Sequence, residues 1–184
     1  MLEHDLQPTS LLSAFEFNIH QNWSSEKENH RYLIRRDIQK HYSGNCLELD
    51  ELPKPERGFV SISHCKNLGG YIWAPFPVGL DMEAYDRKLS KKAASRLGSP
   101  QELKDAPDDL SLWVAKEAAY KALSLAGAPE KVISSIQISN WREIASKSYE
   151  FSFLSSHFND LYASLRGQVF TSERTRMGIA ALIP

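Results

Sequence analysis

Residues 108–129 constrain the fold of this chain more than any other stretch. Asp108 and Asp109 are good N-cap residues, and Gly127 with Pro129 closes the segment they open; between them Leu112, Trp113, Tyr120 and Leu123 form much of the apolar face of a helix over residues 110–126. Strand-like segments flank it. Upstream, Val78-Gly79-Leu80-Asp81-Met82-Glu83 alternates, so Val78, Leu80 and Met82 face the core and Asp81 and Glu83 share the other face. Downstream, Val132 to Ile138, Tyr149 to Leu154, Leu161 to Phe170 and Met177 to Leu182 read as antiparallel strands.

The N-terminal part has its own pattern. Ser25-Glu26-Lys27-Glu28 is a capping box opening a helix to about Tyr42, with Gly44 as its stop. His30, Ile34, Ile38 and Tyr42 recur every four residues as a half-apolar stripe, and Lys27, Arg31 and Arg35 form a basic ridge beside it. From spacing alone, such a ridge is a solvated face or a binding surface. Pro53-Lys54-Pro55 breaks the chain; Phe59 to Ser63 and Tyr71 to Trp73 read as strands joined by a turn at Gly69-Gly70. Pro75-Phe76-Pro77 is a hard connector, and it predicts an N-terminal half over residues 1–77 and a C-terminal half over 78–184. A basic helix is predicted from about Leu89 to Leu97, stopped by Gly98 and Pro100, then a loop to Asp108.

Composition narrows the function classes. With 22 Lys and Arg against 23 Asp and Glu, the net charge is −1, so the molecule as a whole carries no attraction for nucleic acid or an anionic membrane. Cys46 and Cys65 cannot make a disulfide framework and lack zinc-site spacing, and no apolar run approaches the ~20 residues that cross a bilayer. The acidic start, Met1 to Asp5, is unlike a secretory signal, and a reduced cytoplasmic protein is the expectation. Serine-hydrolase elbow, phosphate-loop, dinucleotide and zinc-helix motifs are all absent.

Asp81 and Glu83 stand about 6–7 Å apart along one strand face, where two like charges repel by roughly 2–3 kcal/mol at an effective dielectric near 20. Either a lysine or arginine or a hard divalent cation should sit between them. On the long helix Lys116, Glu117 and Lys121 interrupt an apolar, small-residue stretch, and Glu117 to Lys121 is the favourable spacing for an ion pair. If these side chains are only partly exposed, pairing or function must explain it. Ser61-Ile62-Ser63-His64 places a histidine at a strand end, as a structural residue or facing a cleft.

Taken in order, Lys54-Pro55, Ser61-Ile62-Ser63-His64, Val78 to Glu83 and Trp113-Val114-Ala115-Lys116-Glu117-Ala118-Ala119-Tyr120-Lys121-Ala122 resemble the signatures of 4′-phosphopantetheinyl transferases, surfactin-type in a shortened two-half form. The resemblance implies an α+β fold of two pseudo-symmetric halves, each an antiparallel sheet packed on a long helix, with the active site between them. It implies transfer of the phosphopantetheine arm of coenzyme A to a serine of an acyl or peptidyl carrier protein, releasing adenosine 3′,5′-bisphosphate, in fatty-acid, polyketide or peptide synthesis. Asp81, Glu83 and Glu117 match the positions for Mg²⁺, with Mn²⁺ as the substitute; Glu117 also matches the general base, and Lys121 the residue that stabilises charge on the diphosphate. Lys27, Arg31, Lys54, Ser63, His64, Asp81 and Lys121 match coenzyme A contacts. Pro53 stands where the family's Gly-Lys-Pro element has glycine, and Cys65 where serine often follows the histidine. Carrier proteins are acidic around the modified serine, and Arg87, Lys88, Lys91, Lys92 and Arg96 supply a basic docking surface. A metal-dependent phosphohydrolase and a coenzyme A-binding module without turnover are the alternatives.

Overall fold

A computed structural model describes residues 15–21, 27–66, 68–155 and 164–183. The elements run β1 (Glu16–Gln21), α1 (Lys27–Tyr42), β2 (Phe59–Cys65), β3 (Leu68–Ala74), β4 (Val78–Ala84), α2 (Lys91–Ala94), α3 (Pro100–Asp105), α4 (Asp109–Leu125), β5 (Gln137–Ala145), β6 (Ser148–Leu154), β7 (Ser164–Thr171) and β8 (Thr175–Ile183). They form an α+β architecture of two antiparallel sheets, a three-stranded one ordered β1-β3-β2 and a five-stranded one ordered β4-β8-β7-β6-β5. None of the described helices is long and apolar enough to cross a membrane.

Each sheet packs on one long helix. Ile34 and Ile38, one turn apart on α1, are fully buried against Val60, Tyr71 and Cys46 of the first sheet and its approach loop. The helix stops at Ser43 and Gly44, both with positive φ; a Cβ on Gly44 would lie 2.2 Å from the Lys54 carbonyl, so only glycine fits that corner. The capping-box serine, Ser25, lies outside the described residues. On the other side, α4 lies across β4 and β8 over a core of Leu112, Ala115, Ala118, Ala122, Ala180 and Leu182. The approach is close because the strands present glycines: a Cβ on Gly79 would fall 1.8 Å from the Ala118 carbonyl oxygen, and one on Gly178 2.5 Å from that of Val114.

Strand β4 is therefore buried on both faces, not on one. Val78, Leu80 and Met82 join a core with Ile72, Ala74, Met177 and Ile179 between the two sheets, while Gly79 packs against α4, whose side also carries Asp81.

Several local expectations change. Gly69 and Gly70 are strand residues paired with both neighbours, and the turn lies before them at Lys66, which has positive φ; Gly70 is small because a Cβ there would meet the Asn18 carbonyl at 2.5 Å. The predicted helix from Leu89 to Leu97 is a single turn, Lys91–Ala94, capped by Ser90. The predicted loop after it contains α3, where Ser99 and Glu102 close a capping box with Pro100 in the first turn. Residues 133–135 form a 3-10 turn, and the strand begins only at Gln137. Strand β1 has no counterpart among the sequence expectations.

Candidate active site

The site forms where two sheet edges meet. Strand β2 is the last of its sheet and β4 the first of the other, so among the described residues the outer edge of β4 has no ladder partner to receive its amides. Serine hydroxyls take that place: Ser61 Oγ accepts from the Leu80 N–H at 2.9 Å, and Ser63 Oγ accepts from the Met82 N–H at 3.0 Å. The two-residue repeat of one strand thus matches that of the other. The Ser63 hydroxyl also donates to Asp81 Oδ1 at 3.2 Å and receives Lys121 Nζ at 3.5 Å. A serine hydroxyl has one donor and two acceptor positions, so that of Ser63 is fully committed inside the protein.

The other wall comes from α4. Trp113, Glu117 and Lys121 recur every four residues and so stand in one row over β4. Lys121 Nζ reaches Asp81 Oδ1 and the Leu80 carbonyl, both at 2.8 Å. Trp113 Nε1 donates to Glu83 Oε1 at 3.2 Å, and the Arg87 guanidinium pairs with the same oxygen while lying 5.1 Å from the Trp113 ring centre. Of the two options left open for the strand acids, ion pairing is realised for both: Lys121 serves Asp81 and Arg87 serves Glu83. Because Lys121 turns to the strand, the predicted Glu117 to Lys121 pair within the helix does not form.

Glu117 lies between these contacts. Burial pushes its carboxyl above the usual glutamate range and the nearby Asp81 charge pushes it further, against the pull of Lys121 and Arg87. Its carboxylate makes no hydrogen bond or ion pair among the described residues. Asp81 is 6% exposed, and its second oxygen, Oδ2, is buried without a partner. A buried orphan carboxylate oxygen beside an unpaired, half-buried glutamate is the donor chemistry that suits a hard divalent cation. Among the described residues, however, no group of three or more acids, histidines or cysteines is arranged to hold a metal ion.

Asp81, Glu83 and Lys121, but not Glu117, line a cavity of about 300 Å³. Strands β2 and β4 supply Ser61, Ser63, His64, Asp81 and Glu83, α4 supplies Lys121, and α1 supplies Arg31 and Arg35. Arg35 is 4% exposed and donates to the carbonyls of Cys46 and Glu51, at 3.5 and 2.5 Å, with its Nε left without a partner. Arg31 is exposed and holds the Leu49 carbonyl at 3.1 Å. The basic ridge of α1 is thus a cavity wall at these two residues. Lys27 is in the first turn of the same helix, and its side chain lies outside the described residues. Lys54 follows Leu52 and Pro53 of the cavity lining without lining it itself, and pairs with Glu51 at 3.0 Å. Lys88, Lys91, Lys92 and Arg96 are exposed, as is Arg87 despite its contact with Glu83.

Lys116, beside Glu117 in sequence, is not in the site. It is 0% exposed, pairs with Glu102 Oε1 at 2.7 Å and donates to the Ile136 carbonyl at 2.6 Å. Pairing explains its burial. Glu102 also accepts from the Ile138 and Ser99 amides, tying α3, α4 and β5 together. Sequence reasoning missed Ser61 and the cavity position of Arg35; the alternation of Ser61 with Ser63 and the four-residue step from Arg31 were the available signals.

The fold and site define an α+β protein that sets acids of a sheet-edge strand against a glutamate and a lysine of helix α4. A sequence profile of the 4′-phosphopantetheinyl transferase superfamily matches residues 77–174, more than half of the chain, and the chain belongs to that superfamily. That segment contains β4 and α4, hence Asp81, Glu83, Glu117 and Lys121. A search of curated proteins found no match.

Proposed function

We propose that this chain transfers the 4′-phosphopantetheine arm of coenzyme A to a serine hydroxyl of an acyl or peptidyl carrier protein, with Mg²⁺ and with Mn²⁺ as a substitute, releasing adenosine 3′,5′-bisphosphate. The observation that carries this reading is the pairing of Asp81 with Lys121 at a cavity that Arg31 and Arg35 also line, with Glu117 near enough for the Asp81 charge to act on it. A molecule with a diphosphate and a separate ribose phosphate needs positive groups at two places, and the cavity is lined by cations from two different helices, α1 and α4. Arg31 and Arg35 suit the ribose phosphate, and Lys121 and His64 suit the diphosphate.

In the reaction the carrier serine oxygen forms a bond to the phosphorus on the pantetheine side. The bond from that phosphorus to the bridging oxygen breaks, and the adenosine bisphosphate leaves with its electron pair. Glu117 takes the serine proton, directly or through a water; its half-buried carboxylate has no competing partner among the described residues. Lys121, held by Asp81 and the Leu80 carbonyl, presents its charge to the leaving oxygen without reorganisation. Asp81 and Glu117 would hold the divalent cation, which when bound supplies charge neutralisation on the diphosphate.

The surfactin-type, two-half arrangement belongs to the same proposal. It is supported by a first sheet built wholly before residue 78 and a second built wholly from residue 78 onward, with the cavity between their adjoining edges. Lys88, Lys91, Lys92 and Arg96 form the surface for an acidic carrier. The test is incubation with coenzyme A, Mg²⁺ and a panel of apo carrier proteins, followed by carrier mass. At least one carrier gains one phosphopantetheine; a panel that stays entirely unmodified contradicts the proposal.

A further inference from the structure

Strand β2 presents two faces. Val60 and Ile62 pack in the cluster that holds Ile34 and Ile38 of α1, whereas Phe59 and Cys65 pack in the core shared by Leu80, Met82, Met177 and Ile179. Between Phe59 and Cys65 on that second face stand Ser61 and Ser63, only 4% and 6% exposed. A hydroxyl buried in an apolar core costs stability unless it is hydrogen-bonded, and both are bonded to the edge of β4. Ser61 Oγ takes the Leu80 amide and Ser63 Oγ the Met82 amide, so the two bonds bracket Asp81, while Lys121 holds the Leu80 carbonyl. The row continues at Cys65, whose Sγ lies 3.9 Å from the Thr175 hydroxyl that donates to the Glu83 carbonyl at 2.8 Å. Among the described residues β2 and β4 share no backbone ladder, and these side chains occupy the place of one.

The family resemblance implies Ser63 as a coenzyme A contact, but its hydroxyl is engaged elsewhere. Its one donor goes to Asp81 Oδ1, and its two acceptor positions face the Met82 amide and the Lys121 ammonium. A phosphate oxygen could bond to it only by taking that donor from Asp81. We propose that Ser61 and Ser63 are positioning residues that seat the Asp81 segment of β4 on β2. Ser63 acts on the reaction through Asp81 and Lys121, and its hydroxyl takes no coenzyme A phosphate. The effect on the reaction rests on the proposed transferase reading; the seating of β4 does not.

The first readout needs no activity: amide hydrogen exchange of the full chain, followed by nuclear magnetic resonance. The Leu80 and Met82 amides exchange slowly in wild type; Ser61→Ala speeds Leu80 and Ser63→Ala speeds Met82, each about tenfold or more, and Ser63→Thr leaves Met82 slow. Wild-type amides that exchange as fast as those of exposed loops overturn the seating. The second readout separates binding from turnover. Ser63→Ala binds coenzyme A, by calorimetry, within about threefold of wild type, its kcat for carrier modification falls about tenfold or more, and Ser63→Thr recovers most of that loss. In a Lys121→Ala background, Ser63→Ala lowers kcat by about threefold at most, because the residue it acts through is gone. A loss of coenzyme A affinity in Ser63→Ala as large as its loss of kcat makes Ser63 a substrate contact and overturns the proposal, as does a full additional loss in the Lys121→Ala background. Where Ser63→Ala does not fold, Ser63→Cys, close to serine in size with a weakly accepting sulfur, takes its place in each comparison. Wild-type protein that modifies no carrier contradicts the proposed function instead, and the two amides still decide whether the serines seat β4.

Discussion

Lys116 and Glu117 are neighbours on α4, yet one step around the helix, about 100°, sends their side chains to opposite destinations. Glu117 faces Asp81, where burial and a like charge raise its proton affinity. An acid whose folded-state pKa is raised loses stability on ionising, so above the usual glutamate pKa of about 4.3 the charged Glu117 subtracts from folding stability. Glu117→Gln should therefore raise the melting temperature at pH 7 while reducing carrier modification by about 10²-fold or more. Thermal unfolding and turnover of the same preparation check both halves; unchanged turnover would reject Glu117 as the base. Lys116 turns the other way, into the core. For its partner Glu102, burial pushes the carboxyl up, but hydrogen bonds from Lys116 and from the Ile138 and Ser99 amides outweigh it and leave the group below its usual range. A depressed carboxyl stabilises fully above the unfolded value near 4.3 and loses that contribution as pH falls through the folded value. Glu102→Gln leaves Lys116 buried without its counter-charge and should cost about 3–5 kcal/mol at neutral pH, with a flatter loss of stability on acidification. Denaturant unfolding between pH 7 and pH 3 measures it; parallel pH profiles for variant and wild type would contradict this account.

At the scale of elements, helix α4 works because the strands beneath it are thin. Its alanines and the glycines of β4 and β8 let Glu117 and Lys121 come down to the strand that bears Asp81. Gly79→Ala puts a methyl on the Ala118 carbonyl, which is backbone and cannot turn aside. The helix must lift, at a cost of about 1–3 kcal/mol, or roughly 2–4 °C of melting temperature per kcal/mol. Turnover should fall by more than stability explains, since the same lift parts Lys121 from Asp81; a variant equal to wild type in both would show that the close approach is not required. The helix and the alternation of β4 were legible because each is a local periodicity. The role of Gly79 was not, because alternation marks which side a residue faces and not how near the next layer comes. Helix α3 carried a readable capping box at Ser99 and Glu102, obscured by a Pro100 that opens a helix as well as it stops one. Gly69 and Gly70 have turn chemistry, but at Gly70 the neighbouring backbone of Asn18 uses the small size instead.

In the whole molecule, the site exists only where the two sheets adjoin. The acids and the row of Trp113, Glu117 and Lys121 could be read from spacing and family resemblance, since each set lies within one element. The serine clasp of Ser61 and Ser63 on β4, and the place of Arg35 on the cavity wall, had only the signals of a shared strand face and a shared helix row, which do not say what the next element brings to that face. Lys54 was legible only through the Lys-Pro match, which carries no sign of its exposed ion pair with Glu51. The central claim is that this junction passes a phosphopantetheine arm from coenzyme A to a protein hydroxyl and not to water. Release of adenosine 3′,5′-bisphosphate from coenzyme A, measured with and without an apo carrier that the chain modifies, tests it most directly. The account predicts release only with the carrier, one equivalent for each carrier modified; release at the same rate without a carrier would make the chain a phosphohydrolase and contradict it.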